Sequence, residues 1–154
     1  MSTISSQCVD AIVTKLNEAS GRPTGLETVA RCRLSNPTTD EELPSKKWIF
    51  VRTGPSDITP VGSMDGPVRQ NELRVLIEAI AVGDASTPAD AAADILVAWC
   101  TKKLDGQSLS HLAEQVVEVS REPTYGQGKY PSCRMTLTYV VYHTSRTGDA
   151  EQRT

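Results

Sequence analysis

A cysteine and a histidine can supply a nucleophile and its base, and Cys133 and His143 fall on the same face of one apolar stretch. If residues 132–143 form a strand, ten residues at ~3.3 Å each hold the two about 33 Å apart. They cannot pair within one subunit unless that strand is broken. His111 meets another cysteine only through tertiary folding, and a lone histidine beside a short helical turn is more often structural or solvent-facing. The four cysteines, Cys8, Cys32, Cys100 and Cys133, include no close pair, whereas zinc sites present ligands in tight pairs such as C-x2-C. Cys100 sits inside an apolar helix and Cys133 is in register with Met135, Leu137 and Tyr139, so both read as small buried hydrophobes.

Tyr125-Gly126-Gln127-Gly128-Lys129 has the look of a phosphate loop, but such a loop must feed a helix N-terminus so that free amides point at the anion. Here it runs into Tyr130-Pro131 and then a strand, so a mobile hairpin with interface-suited tyrosines is the better reading. Asp90 and Asp94, four apart, suit acid–base or metal chemistry, yet a helix N-terminus alone explains negative charge there. The residues therefore demand no catalytic, cofactor or metal site, and the expectation is a chain that builds a surface and is not an enzyme.

The elements that position these residues come from one domain's worth of chain. At 154 residues such a chain buries roughly 68–70% of its unfolded surface. With 38% hydrophobic but only 5% aromatic residues, the core must be aliphatic and alanine-rich. A net charge of −3 and isolated basic pairs at Lys46–Lys47 and Lys102–Lys103 lack the cationic stripe that phosphate-backbone binding needs. Sequence-specific nucleic-acid binding is not expected. The longest stretch free of Asp, Glu, Lys and Arg, 135–145, is far short of the ~20 residues of a spanning helix. The start MSTISSQCVD has neither a basic opening nor an apolar signal core, so a soluble protein made in a cytosol is expected.

Cys8, Ile12, Leu16 and Ala19 recur at helical spacing and predict a helix over about 5–20, ended by Gly21 and Pro23. Strands are predicted at 29–34, 47–53, 69–83, 116–121 and 132–143. Loops are predicted at 35–45, at 54–67 (rich in Gly and Pro) and at 122–131, with 108–112 a short connector. In the strand 69–83, Leu73, Val75, Ile77, Ala79 and Ala81 line one face, and Arg74, Leu76, Glu78, Ile80 and Val82 line the other. That second face is too apolar for plain solvent and meets a partner or is partly covered by a loop. Thr87 is placed to cap the next helix, with Pro88 first in it and Asp90 in its opening turn. Ala92, Ile95, Trp99 and Lys103 then form a stripe, with Leu96, Cys100 and Leu104 beside it. Lys102 and Lys103 favour the helix's negative end, and Gly106 stops it. A single α+β domain over 1–143 is expected, with a mostly antiparallel sheet of about four or five strands, two α-helices on one face, and a flexible tail at 144–154.

This order, carried by LRVLIEAIAV, TPADAAADILVAWCTKKLDG and CRMTLTYVVYHT, resembles the tail terminator (tail completion) proteins of long-tailed bacteriophages, including the lambda-type minor tail protein family. The similarity runs from about residue 5 to 143; the loops 35–45 and 54–67 and the C-terminal tail are long for that family. The resemblance implies a hexameric ring that caps the finished tail tube, stops polymerisation and joins the head. It implies self-association and contacts with tail tube protein and head–tail connector or neck proteins, with DNA passing through the ring. It places the chain in the virion at the head-proximal end of the tail, and in host cytoplasm during assembly. No membrane role and no cofactor follow. A cyclic assembly needs two different complementary surfaces per subunit. Arg74 and Glu78 around Leu76 and Ile80 suit one; Met64, Asp65, Arg69, Tyr125 and Lys129 suit loop contacts to tube or connector. The alternatives are another small connector or neck protein, or a small-molecule-binding or enzymatic α+β domain with polar groups converging in a pocket.

Overall fold

A computed structural model describes residues 4–31, 46–55, 57–61, 68–84, 86–109, 115–126 and 131–146. In chain order these form α1 (Ile4–Glu18), β1 (Ala30–Arg31), β2 (Lys47–Thr53), β3 (Asp57–Val61), β4 (Val68–Val82), α2 (Ala89–Leu104), β5 (Val116–Gly126) and β6 (Ser132–Arg146). The strands make one six-stranded sheet of order β1-β2-β4-β6-β5, with β3 also on β4. Among the described strand pairs β1–β2 is parallel and the rest antiparallel, and both helices pack on one face, so the α+β architecture is the expected one.

The long central strand β4 organises the sheet. On one side β6 pairs with it from Val68↔Arg146 to Val82↔Ser132. On the other side β2 and β3 share it, Lys47–Thr53 lying against 75–81 and Asp57–Val61 against 68–72. β2 and β3 thus lie end to end along the same side of β4. The sequence predicts a continuous loop there, and β3 corrects it. Pro60 lowers the strand signal, yet a proline without N–H is tolerated on an edge strand. Residues 35–45 and 62–67 lie outside the described residues.

The inner face of the sheet is apolar because the period-2 pattern of β4 is respected: Leu73, Val75, Ile77, Ala79 and Ala81 are all buried in the core. Ile49 and Val51 join them from β2, and Cys133, Leu137, Tyr139 and Val141 from β6. Above them lie Cys8, Val9, Ile12 and Leu16 of α1, and Ala92, Ala93, Leu96, Val97, Cys100 and Leu104 of α2. The Asn17 side chain fixes the chain after α1: its Nδ2 donates to the Val29 carbonyl and its Oδ1 accepts the Val29 amide, both at 2.9 Å.

The start of α2 departs from the sequence reading. Pro88 is the extended N-cap residue, not the first helical one, and makes no side-chain cap. Asp84 organises the turn instead, its Oδ1 accepting the amides of Ser86 (2.8 Å) and Thr87 (2.7 Å). Gly83 is required just before it, since a Cβ there would stand 2.9 Å from the Ala89 nitrogen. At the other end Gly106 adopts φ +75°, and its amide reaches the Val116 carbonyl at 2.7 Å, tying the helix exit to the start of β5.

Strand β5 runs to Gly126 where the sequence predicts a loop from 122, and β6 continues to Arg146, three residues past the expected end. β5 is an edge strand with a register shift between Glu118 and Ser120, a proline at 123, and charges at Arg121 and Glu122. Those features explain why the sequence hid it, and they disfavour the addition of another strand there.

Candidate interaction surfaces

The outer face of the sheet carries the even-numbered residues of β4, and no described helix covers it. Register places Trp48, Ile80 and Arg134 in one row, Phe50, Glu78 and Thr136 in the next, and Arg52, Leu76 and Thr138 in a third. The four positions expected to meet a neighbour lie together here but differ in access. Ile80 and Glu78 are 2% and 7% exposed within the single chain, whereas Arg74 and Leu76 are half-buried. Glu78 is held by Arg52, whose Nε lies 3.3 Å from Oε1. A carboxylate set beside Phe50 and Ile80 needs such a partner. Arg74 is anchored to the Pro55 carbonyl at 3.5 Å, just after β2.

The expected loop contacts are not on that face. Tyr125, 63% exposed, pairs with Cys133 and so belongs to the helix side. Arg69 lies in β4 with backbone partners Pro60 and Ser145. Met64, Asp65 and Lys129 lie outside the described residues, as do Cys32 and His111. Cys133 and His143 share the unbroken strand β6, so the structure does not bring them together.

A polar cluster that sequence reading missed joins α2 to β5. Thr101 Oγ1 donates to Glu118 Oε2 at 2.9 Å, and Arg121 holds the same carboxylate through Nε and, at 3.1 Å, through Nη2. The Glu118 amide donates to Asp105 Oδ1 at 2.9 Å. The carboxylate raises the Arg121 pKa, chiefly through that side-chain hydrogen bond. Beside it the Tyr139 hydroxyl is fully buried; Thr101 stands close but outside hydrogen-bond geometry, and burial pushes the phenol pKa up. The register shift at Val119 turns Glu118 and Arg121 to the same side, and nothing in the local sequence marks that shift.

The three described thiols, Cys8, Cys100 and Cys133, are not poised for chemistry. Burial pushes Cys8 up to about 11 and, with the nearby Glu118 charge adding to it, Cys100 up to about 12. Cys133 is raised by burial and then by Asp90. These three stay protonated at neutral pH and are poor nucleophiles. No group of three or more His, Cys, Asp or Glu residues suited to a metal occurs among the described residues. No described helix is long and apolar enough to cross a membrane.

Two clefts flank α1. One, of about 420 Å³, gathers Lys15, Glu18, Ser20, Lys102, Lys103 and Gln107 where the C-terminal ends of both helices converge. Trp99 Nε1 donates to the Ser20 carbonyl at 3.0 Å, and Lys103 Nζ to Ser20 Oγ at 3.3 Å. The lysines complement two helix dipoles, which accounts for their signs. The other, about 400 Å³, is a shallow groove between α1 and Leu109. On α2 itself Ile95 is 52% exposed, whereas Ala92 and Trp99 of the same sequence stripe are buried. The buried arc centres on Ala93, Leu96 and Cys100, so Ile95 faces outward with Asp90, Ala91, Asp94, Ala98 and Lys102.

Among the described residues these elements define a two-helix, single-sheet α+β fold with an apolar inner face and a second face of mixed chemistry. No protein-family model matches the chain, and no curated protein matches it. Among solved structures it is similar to a chain of the "Virion of native gene transfer agent (GTA) particle", with 17% sequence identity and a TM-score of 0.53. The likeness covers 88% of this chain and 93% of that one, and identity this low speaks to a common fold.

Proposed function

We propose that the chain is a structural protein of a phage-like virion that caps the tail tube, ends tail polymerisation and joins the head as a ring oligomer. The observation that carries this reading is the fold's likeness, over nearly the full length of both chains, to a component of a gene transfer agent virion. It agrees with the resemblance to tail terminators in element order. The reading assigns no catalytic role. Its partners are other copies of the chain, tail tube protein and connector or neck proteins, with DNA passing through the ring. The half-buried Arg74 and Leu76 on the outer face and the exposed Tyr125 are the positions of first choice for such contacts.

Removing the protein from the particle it serves tests the reading directly. Over-long tails without heads are expected in electron micrographs. Tails of normal length without heads would move the assignment to a connector, and unaltered particles would overturn it. Purified protein on tail tubes is expected to form rings by negative stain.

A further inference from the structure

We infer that the exposed stripe of α2 is a docking surface for the same helix of a second copy, running antiparallel across a two-fold axis. The inference does not depend on the capping role.

Three features of the stripe carry it. Asp90, Ala91, Asp94, Ile95, Ala98 and Lys102 are all exposed and fall on one continuous arc of the helix. Ile95, 52% exposed, is the only large apolar side chain among them and lies near the middle. Ala91 and Ala98 flank it, and side chains this small let two helix backbones approach to about 8 Å, the near end of the usual packing range. The charges run from Asp90 and Asp94 at one end to Lys102 at the other. Among the described residues none of the three forms an ion pair.

Turning a second copy end for end about the middle of α2 sets Asp90 against Lys102 of the copy and Asp94 against its Ala98. The two isoleucines meet near the axis. Every contact occurs twice, as an isologous interface requires. The helix dipole explains an acidic start and a basic end on any helix. It gives no reason for an isoleucine left in water between them, and a second copy does. A single 16-residue helix face offers much less than the ~1,600 Å² of a standard interface, so the contact belongs to the weak class.

The test is dimerisation measured by sedimentation, with disulfide trapping alongside. In a Cys32→Ser background, Ile95→Cys is expected to cross-link rapidly under mild oxidation. Val119→Cys, equally exposed at 52% but on β5, is expected to do so slowly. Asp90→Lys and Lys102→Asp are each expected to weaken the dimer about tenfold, since each reverses two symmetric exposed pairs. Mixing the two variants, or combining both changes in one chain, is expected to restore it. Circular dichroism melts confirm that each variant is folded. A chain that stays monomeric at millimolar concentration, equal trapping at positions 95 and 119, or charge reversals without rescue would each overturn the inference. None of those results bears on tail length, so the capping role stands or falls separately.

Discussion

The two faces of β4 are built from the same fifteen residues and solve different problems. Ile77 and Ile80 make the contrast concrete, for they lie three residues apart on one strand, on opposite sides, 0% and 2% exposed. Around Ile77 every neighbour in the core is apolar and two helices close the layer. Around Ile80 the row holds Trp48 and Arg134, and the next row holds a carboxylate gripped by Arg52. Burial alone does not define a core; from Leu73 to Ala81 the inner face of β4 carries no charge, while its outer face admits one in a pair, as the β5 margin of the inner side does with Glu118 and Arg121.

The largest effect separating the faces is expected from Ile77→Ala, at about 2–5 kcal/mol of stability by denaturant titration. Ile80→Ala is expected to cost about half as much, because no described helix closes over it. Equal losses would erase the distinction and make the outer face a second core. Alkaline titration attacks only the inner side, since Cys8, Cys100, Cys133 and Tyr139 all belong to it. For a thiol raised from 9.0 to about 11 or 12, stability is fully present below the unfolded value and is lost as pH rises through the folded one. A decline of roughly 2–3 kcal/mol per thiol between about pH 9 and 11 is therefore expected. Cys100→Ala is expected to flatten it; an unchanged slope would assign the decline to other groups.

Smaller effects probe the outer face and the edge. Glu78→Leu removes a nearly buried charge but strands Arg52, which is 39% exposed and can turn to water, so a change within about 1 kcal/mol is expected. A loss above about 3 kcal/mol would show that the ion pair is structural. Tyr125→Ala, at a position 63% exposed, is expected to shift stability by less than about 0.5 kcal/mol. A clear loss of tube binding in that variant would mark Tyr125 as a contact.

Much of the inner face was legible in the sequence. The alternation in β4, the bounds of β2 and the apolar arc of α2 are local patterns, and each is one layer of the core. What was not legible depends on partners distant in sequence. β3 is a strand only because residues 68–72 offer it an edge, and Pro60 masks it. Residues 122–126 are a strand because β6 continues beside them, in spite of Pro123. On the outer face the membership of Arg74, Leu76, Glu78 and Ile80 followed from period two. Their unequal exposure did not, since it depends on Trp48, Arg52 and Arg134 from other strands. The Thr101–Glu118–Arg121 cluster was hidden for the same reason, its parts being brought together by a bulge.

The guarded margin at β5 has a consequence for growth. Extension of a sheet by its backbone is open-ended, because each strand added offers the next one the same template. A border interrupted by a bulge, a proline and charges disfavours that route at β5, where a further copy would have to meet side chains instead. Contacts of that kind have fixed partners and fixed angles, so the assemblies they build can close and have a definite size.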